Sequence, residues 1–212
     1  MTKITVTTVK RSAIGLAACA LVAGCATVAV DADYRQAALA MMKADFKSKG
    51  PISAERVLRQ DDVELFCSDP GHTIAPEVAA RLEAAQLATV VYPADGQYLG
   101  DWKAGEAIAQ EGRGLQSSDA VGAVNGANCY ACHQLTKEEI SFGNLGPSLY
   151  NYGKLRGQSA VITRYTWGKI YNAQGYRACT SMPRFGHNGI LTPAQIKDVM
   201  ALLLDPASPV NK

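Results

Sequence analysis

The run Cys129-Tyr130-Ala131-Cys132-His133 constrains this chain more than any other feature. Two thiols separated by two residues and followed directly by a histidine read as a site of covalent haem attachment. Each sulfur adds to a haem vinyl group, and the histidine is placed to ligate the iron from the proximal side. Other C-x-x-C chemistries account for it less well. A thiol–disulfide motif has no need of His133, and a zinc site requires two further ligands at suitable spacing. The motif occurs once, so one covalent haem c is expected, held by Cys129, Cys132 and His133.

Covalent haem of this kind belongs to exported chains, and the N-terminus fits that. Lys3, Lys10 and Arg11 form a basic region, and residues 12–30 then carry no charge. We read residues 1–32 as a secretory signal. An uncleaved membrane anchor is the alternative, since the run is about long enough to span a bilayer, but its Ala and Gly content makes it weakly apolar. Val30-Asp31-Ala32 suits cleavage before Asp33, whereas Leu21-Val22-Ala23-Gly24-Cys25 reads as a lipobox that would leave Cys25 as a lipid-modified first residue. Both sites stay open, and either way the expected location is the periplasm.

The leader also distorts the charge. The formal net charge is +2, and residues 1–32 hold three positive and one negative side chain, so the remainder is near zero. The pI of 8.2 is therefore no nucleic-acid signature. Cysteine arithmetic simplifies in the same way. With Cys19 and Cys25 in the leader and Cys129 and Cys132 on the haem, Cys67 and Cys179 remain, and in an oxidising compartment they are most simply a disulfide. Two buried free thiols are one alternative, and a Cys67 or Cys179 thiolate on the haem iron is another.

The pattern predicts a mainly α protein: a haem domain over 96–212 behind an N-terminal helical extension over 33–95. In the extension, Leu39, Met42 and Phe46 recur at helical spacing, as do Val78, Leu82 and Ala85 after Pro76. Asp101 can cap a helix carrying Trp102, Ile108 and Ala109, with Gly105 leaving room for a close neighbour. Residues 159–172 read as a further helix and residues 144–156 as loop. Thr192, Pro193 and Gln195 form a helix start, followed by Ile196, Val199, Met200 and Leu203 on one stripe.

For the iron's sixth position we choose Met182, in the rigid loop Ser181-Met182-Pro183-Arg184-Phe185-Gly186, which lacks helical periodicity. A thioether favours ferrous iron and raises the potential. His187 and His72 are the rivals, while Met200 sits on a core stripe and Met41 and Met42 lie in the extension. The proximal imidazole also needs an acceptor for its other ring nitrogen, and the carbonyl of Pro147 in Gly146-Pro147-Ser148-Leu149 is the natural supplier.

Taken together, Gly126 to His133, Gly143 to Leu149, Met182 to Gly186, Gly189-Ile190-Leu191-Thr192 and the tail Leu204 to Asn211 resemble the SoxX family over residues 100–211. That family comprises the monohaem subunits of the sulfur-oxidation cytochrome of thiosulfate-oxidising bacteria. The resemblance implies a class I cytochrome c-like fold, haem-binding Cys129 and Cys132, and iron ligands His133 and Met182. It implies as partners a SoxA-type cytochrome, dihaem or monohaem, and through it the sulfur carrier SoxYZ, with a further cytochrome accepting the electrons. Together the pair would act as an L-cysteine S-thiosulfotransferase, with no catalytic residue in this chain. Shorter relatives lack the extension, so no role for Cys67 carries over from them. A free-standing electron shuttle is the competing reading. A small peroxidase is a third, disfavoured by a single haem motif and a ready sixth ligand.

Overall fold

The computed structural model describes residues 32–69, 71 and 73–212. All but the last residue of the expected signal sequence, with Cys25, and also His72 therefore lie outside the described residues. The chain divides into two compact units, 1–46 and 47–212. In the first, the described part is one helix, α1 (Ala32–Asp45), and Phe46 closes it by donating its N–H to the Met42 carbonyl at 2.9 Å.

The second unit is helical, with an isolated bridge between Lys49 and Ile52 as the sole β pairing among the described residues. Its helices are α2 (Ala54–Leu58), α3 (Asp62–Cys67), α4 (Pro76–Leu87), α5 (Trp102–Gln110), α6 (Tyr152–Arg156), α7 (Ala160–Tyr171) and α8 (Pro193–Leu204). No helix among the described residues is long and apolar enough to cross a membrane.

Local signals explain where the longer helices begin. Asp101 accepts from the Lys103 N–H at the head of α5, and Ser159 from Ile162 at the head of α7. Thr192 and Gln195 form a reciprocal capping box on α8, with Pro193 at the first turn. Residues 144–156, expected as loop, instead contain α6, five residues entered through Asn151 in the left-handed region (φ 58°).

The core lies where α5 meets α8. Ile108 and Ala109 of α5 are buried with Ile196, Val199, Met200 and Leu202 to Leu204 of α8, and Trp167 of α7 closes the side. The helices cross very closely at Gly105, where a Cβ would come 2.1 Å from the Asp198 carbonyl oxygen. Met200 is fully buried here, as its place on the α8 stripe predicts.

Residues 47–95 pack with 96–212 as one unit, so the stretch expected to be an extension divides at residue 46. Trp167 donates its indole N–H to the Val91 carbonyl at 2.9 Å, and Arg164 lies over the Tyr92 ring at 3.5 Å. Fully buried Asn172, the C-cap of α7, donates to the Gln86 Oε1 and Thr89 Oγ1, each at 2.9 Å. These polar contacts are shielded from water and therefore directional, which fixes the register of α4 on α7.

Candidate haem site

The motif sits on a single 3₁₀ turn, Cys129–Ala131, entered through Asn128 at φ 47°. Three backbone bonds tie its approach to the end of α5: Gly126 N–H to Arg113 (2.8 Å), Ala127 to Ile108 (2.9 Å) and Asn128 to Glu111 (3.0 Å). Within the turn, the Cys132 and His133 N–H groups both point to the Cys129 carbonyl, at 3.1 and 2.9 Å. Tyr130, between the two cysteines, is buried and roots the turn in the core.

Cys129 and Cys132 are both free, half-buried thiols, in a chain whose other described cysteines are joined. Burial pushes the Cys129 thiol up to about 12, so the sulfur stays uncharged before it is alkylated.

His133 is fixed from the loop that follows. Its Nδ1 lies 2.7 Å from the Pro147 carbonyl, which makes Nδ1 the protonated nitrogen and leaves Nε2 with its lone pair. The loop is itself held to the motif by Gly146 N–H to the Cys132 carbonyl and Leu149 N–H to the Gln134 carbonyl, both 2.8 Å. Gly146 lies flat against the imidazole, and a Cβ there would approach the His133 Cε1 to 2.1 Å. A backbone cradle of this kind sets ring orientation as well as tautomer.

Met182 lies on a different part of the chain. Its side chain is half-buried and, with Cys129, Leu149, Tyr152 and Ile162, rims the central core cluster. These donors and apolar neighbours fit a haem: two free thiols, an imidazole with one nitrogen committed and one free, and a thioether beside the same apolar cluster. When bound, haem c supplies one-electron chemistry at its iron. Cys129 and Cys132 would attach it, an oriented His133 would hold its iron, and the half-buried apolar side chains around them would pack against it.

The loop around Met182 is held by side chains that sequence reasoning passed over. Arg184 is buried and forms ion pairs with Asp61 and Glu64 of the α3 turn, while also donating to the Gln86 Oε1 at 3.1 Å. Asp61 and Glu64 simultaneously form a capping box on α3. Burial pushes the Asp61 carboxyl up, but the hydrogen bond and charge of Arg184 outweigh it and hold the group below its ordinary value. Cys67, the last residue of α3, is disulfide-bonded to Cys179, with Cα atoms 5.3 Å apart. Backbone bonds complete the loop, since the Gly186 and His187 N–H groups both reach the Tyr171 carbonyl at 3.0 Å.

His187, the rival sixth ligand, is engaged elsewhere. Its Nδ1 lies 3.0 Å from the Thr89 hydroxyl and its Nε2 4.0 Å from Asp61. Burial, then the nearby Arg184 charge, lowers its basicity, so it is neutral at neutral pH.

Comparison with known proteins agrees with this geometry. A family model described as cytochrome c matches residues 118–205. The chain is 37% identical over 188 residues to a protein of Aquifex aeolicus (strain VF5) described as an uncharacterized lipoprotein, covering 84% of this chain and 88% of that one. With its helical fold and its C-x-x-C-H turn, this chain carries a cytochrome c domain over residues 118–205, a domain that holds haem c covalently.

Proposed function

We propose that this electron-transfer protein is the monohaem, electron-accepting subunit of a two-subunit cytochrome that joins thiosulfate to a cysteine of a sulfur carrier. His133 and Met182 are its axial iron ligands, and Pro147 orients His133. The observation that carries the reading is that the chain brings its own candidates for both iron positions, each tied down. His133 is bonded to Pro147, and Met182 is flanked by Cys179 and Arg184, both anchored to α3. Six-coordinate iron suits electron transfer and offers no position for a substrate.

The chemistry then divides between subunits. A carrier cysteine loses its thiol proton, its sulfur bonds to the terminal sulfur of thiosulfate, and two electrons leave. Bond formation belongs to a SoxA-type partner acting on SoxYZ, and this chain removes electrons one at a time and passes them to a downstream cytochrome. The resemblance of the Gly143–Leu149 and Met182–Gly186 segments to SoxX supports this assignment. The basic, then uncharged, N-terminus supports export to the periplasm, and the lipoprotein description of the Aquifex relative favours a lipid on Cys25.

The test mixes purified oxidised holoprotein with thiosulfate and a thiol carrier. Its haem should stay oxidised until a SoxA-type cytochrome is added, and then become reduced as the thiosulfonate product appears. Reduction with product formation in the partner's absence would make the chain an enzyme by itself. No reduction with the partner present would leave a free-standing shuttle. Ligation is tested separately: Met182→Ala should remove the weak long-wavelength charge-transfer band of the ferric protein and lower the potential, and His187→Ala should do neither.

A further inference from the structure

A single short helix reaches both sides of Met182. At its start, Asp61 and Glu64 grip Arg184, two residues after the methionine. At its end, Cys67 is bonded to Cys179, three residues before it. Only Thr180 to Pro183 lie between these anchors, and there the contacts are lighter: Gln174 donates to the Thr180 carbonyl at 3.0 Å, and the Met182 N–H reaches the Thr180 hydroxyl at 3.4 Å. Helix α3 is itself seated firmly, with Val63 1% exposed. The neighbouring α4 adds to the grip, since Glu83 accepts from the Ala178 N–H at 2.9 Å and Gln86 accepts from Arg184.

We propose that α3 is a clasp for the methionine loop, and that Arg184 and the Cys67–Cys179 disulfide are the residues that position Met182 on the iron. This rests on the reading of Met182 as the sixth ligand. The physical reason is entropic. A methionine–iron bond is weak and competes with water and with free movement of its loop, and each loop residue left unfixed adds backbone freedom to be lost on binding. Pinning both ends of a four-residue span removes most of that loss in advance. Arg184 suits the task because its rigid planar guanidinium gives Asp61 and Glu64 a separate nitrogen each, whereas a lysine would have to share one. Each anchor restrains one end, so releasing either should loosen the ligand while the α5–α8 core stays intact.

The experiment uses oxidised holoprotein carrying Arg184→Gln, and separately Cys67→Ala/Cys179→Ala, which leaves no stray thiol. Three readouts are taken: the long-wavelength methionine charge-transfer band, the rate at which added cyanide binds ferric iron, and far-ultraviolet circular dichroism. Loosening should weaken the band in both variants and speed cyanide binding at least tenfold, with helix content unchanged. A band of wild-type strength and an unchanged cyanide rate in both variants would overturn the proposal and leave the anchors merely structural. Should one variant fail to fold, the other decides. Failure of the parent reading looks different: the wild-type protein would lack the band, or Met182→Ala would leave it in place.

Discussion

The ion-pair cluster at Arg184 makes an asymmetric prediction about stability. The Arg184 side chain is 5% exposed, whereas those of Asp61 and Glu64 are 37% and 38% exposed. Removing the acids therefore strands a guanidinium inside the protein, while removing the arginine leaves two carboxylates that can turn to water. Asp61→Asn with Glu64→Gln keeps the capping groups of α3, because amides cap as well as acids, so its effect reads the charge alone. Stranding a buried charge costs about 3–5 kcal/mol. Arg184→Met fills the same slot with apolar atoms and loses hydrogen bonds to partly hydrated partners, so it should cost only about 1–2 kcal/mol. Combining all three substitutions should recover much of the loss in the acid-deleted variant. The assay is guanidinium unfolding of oxidised holoprotein at neutral pH with the disulfide intact. If Arg184→Met proves as damaging as the double acid substitution, the cluster is not governed by desolvation of the arginine and the reasoning fails.

Three further outcomes follow from the same geometry. Cys67→Ala/Cys179→Ala opens a loop of 112 residues, which the chain-entropy model values at about 5 kcal/mol; a loss below about 1 kcal/mol on denaturant unfolding would contradict it. Gly146→Ala places a methyl group 2.1 Å from the His133 ring, so haem content per polypeptide should fall and the ferric low-spin signal should shift; an unaltered signal at full loading would show that the cradle does not orient the ring. Asp61 titrates below its ordinary 3.8 in the folded protein, so its stabilisation is complete above that value and lost as pH falls through the folded one; the difference in melting temperature between wild type and Asp61→Asn should be constant above the carboxylate range and narrow below 3.8.

Much of the fold could be read from the sequence because its larger helices announce themselves locally. Thr192 and Gln195, Asp101, Ser159 and Pro76 each mark a start, and the apolar stripe of α8 is the buried one. The short helices α2, α3 and α6 escaped, since five or six residues are too few to show a period. The Asp61-x-x-Glu64 capping box was the one available sign of α3. Gly50-Pro51, just past the division at residue 46, reads as a turn, but a turn signal alone does not tell a bend within a unit from a boundary between two. The disulfide could be foreseen because only Cys67 and Cys179 were left over, whereas nothing in the sequence links Arg184 to residues 120 and more positions upstream.

The two sides of the haem site are built by different means, and this bears on how the protein assembles. Everything that holds His133 comes from nearby in the chain, with the Pro147 carbonyl 14 residues away and the remaining bonds within the same loop. The methionine loop, besides its local bonds to Tyr171, depends on partners separated by 95 to 123 residues. Local contacts close quickly because little chain entropy is lost before they form, and distant ones wait for the intervening chain to collapse. Thioether formation at Cys129 and Cys132 would therefore need the 3₁₀ turn, its ties to the end of α5 and the loop to Leu149, and could precede docking of α3. Contact order predicts that the methionine side closes last, once α3 and α4 are seated and the disulfide has formed. A chain ordered in this way keeps the haem slot open for attachment and then fixes the side where a loose ligand would admit water.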